Sequence, residues 1–325
     1  MTLDIGRILS HSFSIAWRHR WLWLLGVFGG AGFGFSNSFN TGNGSGNPDQ
    51  VGRFLADHVG LILVAVAVLL VIVLVSAVIA CVATPAVTWA GLQLDAGHDV
   101  GLGRAWREGR SRFWRYVRLV LLKALLSVAV VVAFGILLGI GGAVFSAGGT
   151  VTLVALVPLG ILVVFLLVAA LVVLSFGLLW SDRLLVILGT GAVDSVRAGW
   201  WMFRHNKLNT VIVSLVVGAI NFGIGIAVAL AAAVVAIPGI VMLVVYFSGA
   251  GGSSVLAILG FTWVIILGGG VFLVGSGFLG AVSQVAYALA ARDLSISGGL
   301  AALPDVIGWD PRVPVAVPSG LVPAT

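Results

Sequence analysis

Long stretches without charge are the feature that most limits what this chain can fold into. A helix that spans a bilayer needs about 20 mostly apolar residues, and five stretches meet that length while the first of six is shorter. These apolar runs cover residues 21–35, 59–83, 117–145, 151–179, 208–236 and 255–281. The pattern predicts an all-α, polytopic integral membrane protein of about six transmembrane helices.

The scarcity of charge excludes a water-soluble globular protein. Hydrophobic residues make up 60% of the chain and charged residues 9%, whereas soluble domains carry about 25% charged residues. So few charges do not cover a surface that faces water. The apolar side chains must therefore face lipid.

The basic residues are concentrated in every second gap between the apolar runs. Of the 17 Lys and Arg, only Arg53 lies in the first set of gaps, at 37–57, 146–150 and 248–254. The others lie in 1–20, 95–118, 182–207 and the tail from 292, or at the adjoining helix ends. Because Lys and Arg are enriched in cytoplasmic loops, we expect both termini on the cytoplasmic side of a bacterial inner membrane.

An aromatic residue followed by arginine recurs before each pair of apolar runs. The pairs are Trp17-Arg18, Trp114-Arg115 and Phe203-Arg204, at spacings of 97 and 89 residues. Three pseudo-repeats are predicted, each an amphipathic helix followed by a transmembrane hairpin, at 3–90, 102–190 and 192–292. We expect one domain over 1–293 and a disordered, proline-containing cytoplasmic tail over 294–325.

The segments with these pairs have helical amphipathicity. In the second, Leu102 and Trp106 lie on one side, and Arg104 and Arg107 lie on the other. Such helices lie in the headgroup plane, with aromatic side chains toward acyl chains and arginines toward phosphate. The predicted lipid-contacting residues are Trp17, Arg18, Arg104, Arg107, Arg110, Arg112, Trp114, Arg115, Arg118, Trp200, Phe203 and Arg204. Two interpretations stay open: these helices only anchor the topology, or they bind anionic lipid or a protein partner.

Residues for catalysis or coupled transport are missing from the middle of the runs. No Asp, Glu, Lys, Arg or His lies there, although such groups usually mark function inside a membrane. Metalloprotease, phosphate-loop, serine-hydrolase and Cys/His metal motifs are also absent from the sequence. Asp182 and Arg183 are interpreted as a local pair, Lys123 as a snorkelling side chain and Cys81 as a packing residue. We predict no enzymatic activity, no cofactor, no metal and no nucleic-acid partner.

Three uncharged polar residues lie within or near the ends of the apolar runs. Asn221 is halfway along the fifth helix, and Gln284 and Tyr287 lie toward the inner end of the sixth, which is expected to continue to residue 291. Most such residues form hydrogen bonds between helices, and the alternative is that these three line a ligand cavity. A solidly packed interior would favour a binding or organising protein, and a cavity lined by the three would favour a transporter.

Glycine and proline predict details of helix packing. Glycines recur at close-packing spacing in Gly26 and Gly30, in Gly135 and Gly139, and between Gly268 and Gly280. The Pro238-Gly239 pair is expected to end the fifth helix before a short segment at the outer surface, and Pro158 to kink the fourth helix.

A resemblance to a known group of proteins rests on two features of the sequence. These are the aromatic-arginine segments and the run 194–200 (Asp-Ser-Val-Arg-Ala-Gly-Trp) before the fifth helix. Over most of residues 1–295 the chain resembles bacterial six-helix proteins that are similar to the membrane domain fused to glycerophosphodiester phosphodiesterases. The resemblance implies a six-helix membrane fold. The hydrolase half with its metal-binding carboxylates is absent, so neither phosphodiesterase activity nor any catalytic residue carries over.

These observations favour a non-enzymatic integral membrane protein that binds anionic lipid or a partner at the cytoplasmic face. The alternative is an uncoupled transporter or channel component with a cavity between the repeats. The identities of any substrate and any protein partner stay open at this point.

Overall fold

The computed structural model describes residues 4–29, 59–147, 150–247 and 254–297. Within these ranges the chain is almost entirely helical and contains no strand, as the apolar runs predict. The helices are α1 (Ile5–Arg18), α2 (Trp21–Gly29), α3 (Val59–Asp95), α4 (Leu102–Ser111), α5 (Phe113–Ala147), α6 (Thr150–Leu179), α7 (Ser181–Leu188), α8 (Ala192–His205), α9 (Lys207–Phe247), α10 (Ser254–Trp263) and α11 (Gly269–Ser297). A π-helical turn at Val264–Gly268 joins α10 to α11.

Five helical segments of the described chain are long and apolar enough to cross a membrane. They are Val66–Asp95, Phe113–Ile140, Pro158–Leu188, Lys207–Tyr246 and Ser254–Ser295. They correspond to the last five predicted runs, and the predicted multi-pass architecture is confirmed at that level. Only 21–29 of the first run belong to the described residues, so the sixth helix stays a prediction.

The expected break at Pro238 is wrong. Helix α9 runs without interruption from Lys207 to Phe247 with Pro238 inside it. Proline is tolerated in membrane helices because neighbouring helices accommodate the freed backbone carbonyl. Gly239 permits such a neighbour here, since a Cβ added there would lie 2.8 Å from the carbonyl oxygen of Gly260. The start of the tail also differs from the expected disorder from residue 294 onward. Helix α11 continues to Ser297, and Leu294 is buried within it.

The buried core lies at one end of the helices, which we call the core end. Here α1, α2 and α7 pack against the C-terminal parts of α3 and α11, and α8 packs against α5, α6 and α7. Leu22, Trp180 and Leu184 are fully buried. Toward the opposite end, the far end, the long helices expose rows of Val, Leu and Ile. In a membrane protein such side chains face acyl chains, so the packing of protein against protein is concentrated in one half of the molecule.

Polar contacts at the core end show which helix termini meet there. Arg292 near the end of α11 pairs with Asp95 at the end of α3, and Arg7 in α1 pairs with Asp293 at 2.6 Å. Lys123 near the start of α5 pairs with Asp182 in α7. The N-terminal helix and the C-terminal end of α11 therefore lie at the same end of the molecule.

Glycine makes the closest helix contact at the core end. Gly26 of α2 faces Gly277 of α11, and a Cβ added at Gly277 would lie 2.4 Å from the carbonyl oxygen of Trp23. Only hydrogen in place of a side chain allows backbones this close. Gly135 and Gly139, by contrast, have no neighbour within 4 Å of such a Cβ.

Each of the short helices α1, α4 and α8 is followed almost directly by another helix. The breaks lie at 19–20, at Arg112 and at Asn206. At the last of these, the amide of Asn206 donates to the carbonyl of Met202, and the amide of Thr210 donates to the carbonyl of Asn206. The predicted repeat of an amphipathic helix and a hairpin stays a prediction. The superposition of the three units stays a prediction.

Candidate functional site

The side chains predicted to contact lipid lie on α1, along α4 and the start of α5, and on α8. Trp17 is 54% exposed and Trp114 is 70% exposed. The exposed arginines of the set are Arg18, Arg104, Arg107, Arg110, Arg115, Arg118 and Arg204. Trp200 and Phe203 are half-buried against α6, where Phe203 stacks on Phe176 with ring centroids 6.4 Å apart. We call the seven exposed arginines the arginine surface.

Arg112 differs from the rest of the set because it is largely buried at the junction of α4 and α5. Its Nη2 atom lies 2.8 Å from Oε1 of Glu108, one turn earlier. Burial lowers the pKa of the Arg112 guanidinium, and the Glu108 carboxylate opposes that shift. Arg112 is therefore placed to hold the junction, whereas the exposed arginines on either side of it face outward.

Most acidic side chains in the described residues are already engaged. Asp95, Glu108, Asp182 and Asp293 form ion pairs, and Asp4 caps α1 by accepting from the amide of Arg7. Within the described ranges, none of these acids forms an ion pair with the arginine surface. The arginine surface thus presents unneutralised positive charge.

A cavity of about 670 Å³ lies between helices at the border of the core end and the lipid-facing region. Residues from α2, α3, α5, α7, α9 and α11 line it. Asn221, Gln284 and Tyr287, predicted as possible cavity residues, are all among them. The structure therefore brings Asn221 of α9 together with Gln284 and Tyr287 of α11, which lie more than 60 positions later in the sequence.

Arg183 forms the polar wall of this cavity. Its Nη2 donates to Oε1 of Gln284 at 2.9 Å, and its Nη1 donates to the carbonyl oxygen of Leu179 at 3.1 Å. The guanidinium carbon also lies 5.1 Å from the centre of the Tyr287 ring, a cation–π distance. Gln284 in turn donates from Nε2 to the carbonyl of Gly29 at 2.7 Å. One hydrogen-bonded chain thus connects α7, α11 and α2.

Asp182 joins two cations at the same wall. Its Oδ1 accepts from Nζ of Lys123 at 2.8 Å, and its Oδ2 accepts from Nη1 of Arg183 at 3.2 Å. The side chains of Lys123, Asp182 and Arg183 are 20%, 16% and 7% exposed. Two positive charges and one negative charge are therefore held together with little exposure.

Two buried polar atoms that belong to cavity-lining residues lack a hydrogen-bond partner within the described chain. They are Nε of Arg183, a donor, and Oδ1 of Asn221, an acceptor. Buried polar atoms are seldom left unpaired, because each costs the free energy of removing it from water. The residues that line the cavity thus include one donor and one acceptor that have no partner in the described chain.

Trp180 fixes the short helix that carries Asp182 and Arg183. It is fully buried, and its indole Nε1 donates to Oγ1 of Thr210 in α9 at 3.0 Å. Its ring also meets that of Tyr287 edge to face, with centroids 6.2 Å apart. These contacts hold the start of α7 against α9 and α11, so that Arg183 points between helices.

The role of Arg183 was not apparent from the sequence. Its neighbour Asp182 suggested a local pair, and that pair is present. The contacts that matter for the cavity involve residues far away in sequence, at Gln284 and Lys123. An available signal was the position of two charges directly after a 29-residue apolar run, where burial of one of them is expensive.

The described residues contain no group of three or more His, Cys, Asp or Glu side chains arranged for a metal ion. Comparisons with protein-family models, with curated proteins and with solved structures found no match to this chain. The resemblance to the membrane domain of glycerophosphodiester phosphodiesterases stays a prediction. What the chain shows directly is a multi-pass helical architecture with an arginine surface and a polar-walled cavity.

Proposed function

We propose that this protein is a non-enzymatic integral membrane protein that binds anionic phospholipid at its core end. The observation that carries the proposal is the arginine surface, whose charge is left unneutralised because the nearby acids pair elsewhere. Exposed Trp17 and Trp114 accompany these arginines. Tryptophan and arginine together are typical of side chains at the lipid headgroup level.

The proposal includes the orientation of the chain. Since Lys and Arg are enriched on the cytoplasmic side, the core end faces the cytoplasm of a bacterial inner membrane. Helix α3 ends at the core end and therefore begins at the far end, whereas α1 and α2 belong to the core end. The proposal also keeps the first apolar run, 21–35, as a sixth crossing, and six crossings put both termini on the cytoplasmic side.

Substitution of the arginine surface tests the lipid proposal. In the variant Arg104→Gln/Arg107→Gln/Arg110→Gln/Arg118→Gln we expect retention of cardiolipin and phosphatidylglycerol to fall at least about tenfold, because each basic residue near an anionic surface contributes about 1 kcal/mol. Native mass spectrometry of protein purified in mild detergent measures the retained lipid. High salt is expected to reproduce the loss in the wild-type protein.

The matched control replaces the same four arginines with lysine, which keeps the charge. The lysine variant is expected to retain anionic lipid nearly as well as the wild type. Equal retention by the glutamine variant would reduce the arginine surface to an anchor of topology.

The cavity supports a second candidate, an uncoupled transporter or channel component. Its lining combines Asn221, Gln284 and Tyr287 with apolar side chains from α3, which suits passage of a small solute between helices. Flux of small solutes into proteoliposomes decides between the candidates. A flux that depends on the protein supports the second, and lipid retention without flux supports the first.

A further inference from the structure

We propose that the cavity between α3, α7 and α11 is a binding site for the acidic headgroup of a single membrane amphiphile, with Arg183 as its principal ligand. This site is separate from the arginine surface and goes beyond the function proposed above. Three features support this site: the excess charge of the cavity wall, the two unpaired polar atoms and the change of polarity along the cavity.

The wall carries an excess of one positive charge. Lys123 and Arg183 share the single carboxylate of Asp182. Among the described residues that line the cavity, Asp182 is the single acid. An uncompensated charge in a low-dielectric region is costly, and an anionic group in the cavity offsets that cost. An acidic ligand is therefore the class that the wall favours.

The two unpaired atoms indicate which hydrogen-bonding groups the ligand needs. Nε of Arg183 needs an acceptor such as a phosphate or carboxylate oxygen, and the residue is only 6% exposed. Oδ1 of Asn221 needs a donor such as a hydroxyl or an ammonium group. The headgroup of phosphatidylglycerol carries both kinds of group, an acidic phosphate and hydroxyls.

Polarity changes along the cavity in the way an amphiphile requires. On α3 the lining begins with Val73 and Ala77 and ends with Thr84, a distance of about 16 Å at 1.5 Å per residue. Thr84, Tyr116, Arg183 and Gln284 form the polar end, and the apolar end points toward the exposed Val and Leu of the lipid-facing half. A volume of about 670 Å³ lies within the usual range for small-molecule sites. A headgroup fits the polar end and the start of an acyl chain fits the apolar end.

Cys81 provides a direct readout, because it lines this cavity and is the only cysteine of the chain. In purified full-length protein we expect dioctanoyl phosphatidylglycerol to bind one molecule per chain and to slow alkylation of Cys81 by N-ethylmaleimide. Dioctanoyl phosphatidylcholine, with the same chains but no net charge, is expected to protect Cys81 weakly. Binding at a buried site should also persist at high salt, unlike binding at the arginine surface.

Variants assign the site to Arg183. Arg183→Gln is expected to weaken phosphatidylglycerol binding at least about tenfold, as loss of one charge-assisted hydrogen bond implies. Arg197→Gln, which changes an exposed arginine of α8 outside both the cavity and the arginine surface, is the matched control and is expected to bind as the wild type does. Because Arg183→Gln removes structural contacts as well, Ala77→Phe is the second variant. It fills the apolar end without touching the polar wall, and it should abolish protection of Cys81 while the protein stays folded.

Unchanged protection in both Arg183→Gln and Ala77→Phe would overturn the site. Equal protection by phosphatidylcholine would overturn recognition of the acidic group. Equal protection by inorganic phosphate alone would show that a free anion, and not an amphiphile, is the ligand. Protection by phosphatidylglycerol that is lost in both variants and kept in Arg197→Gln supports the proposal, whatever the fate of lipid at the arginine surface.

Discussion

At the scale of single residues, small side chains decide where the helices of this protein meet. Gly26 and Gly277 allow α2 and α11 to touch backbone to backbone. Lipid tails are as apolar as leucine, so helices in a bilayer associate through such close packing and not through the hydrophobic effect. The glycine pattern predicted contacts of this kind, but not which glycines make them, because Gly135 and Gly139 share the spacing and meet no neighbour.

Gly277→Leu is expected to destabilise the protein by about 3 kcal/mol or to prevent folding, since overpacking costs about 1–3 kcal/mol and the added Cβ meets a rigid backbone carbonyl 2.4 Å away. Thermal unfolding in detergent, followed by alkylation of Cys81, measures the change. Gly139→Leu is the matched control and should leave the midpoint almost unchanged. A similar shift in both variants would mean that leucine itself, and not the helix contact, is responsible.

At the scale of elements, ion pairs made by two aspartates connect α1, α3 and α11 to one another. Asp95 accepts from Arg292 and lies 3.0 Å from Nδ1 of His11, while Asp293 accepts from Arg7. The side chains of Asp95 and Arg292 are each only 11% exposed. Because a buried charge that loses its partner is strongly unfavourable, these contacts are more consequential than the exposed pairs on the surface.

Asp95→Asn is expected to lower the free energy of unfolding by about 3 kcal/mol, the lower part of the range for breaking a buried pair. The physical reason is that Arg292 keeps its charge and loses one of its carboxylates. Asp99→Asn, four residues later at an exposed position, is the control and should change stability by less than about 0.5 kcal/mol. The same unfolding assay applies, and equal stability of the two variants would contradict the role given to Asp95.

Which helices form was predictable from sequence, whereas the partners of particular residues were not. The apolar runs predicted α3, α5, α6, α9 and the α10–α11 pair because helix is the structure that satisfies backbone groups in lipid. The continuation through Pro238 was missed because a local rule for proline ignores the neighbouring helix at Gly260. The link from Gln284 to Gly29 spans 255 positions, a separation at which no local pattern carries information.

At the scale of the whole molecule, packing and charge coincide. The core end holds the buried Trp180 and Leu22 together with nearly all of the basic residues. The far end consists of helices whose apolar side chains are exposed and therefore depend on lipid for contact. The molecule is thus asymmetric across the bilayer, and the proposed orientation follows from that asymmetry.

Labelling of introduced cysteines tests the orientation in a Cys81→Ser background. A membrane-impermeant maleimide added to intact cells is expected to label Ser45→Cys and to leave Arg110→Cys unlabelled until the cells are broken. The reason is that only Arg53 among the basic residues lies in the gap that contains residue 45. The reverse labelling pattern would invert the topology.

The contact between Arg7 and Asp293 joins residues 286 positions apart, and this has a consequence for biogenesis. At about 5–20 residues per second, a ribosome needs roughly 15–60 s after it has made α1 before it reaches the end of α11. During that interval the glycine face of α2 has no α11 to pack against. The nascent chain must therefore spend most of its synthesis with the α11-facing sides of α1 and α2 uncovered, and an insertase or chaperone that shields them would act on this protein at its N-terminal end.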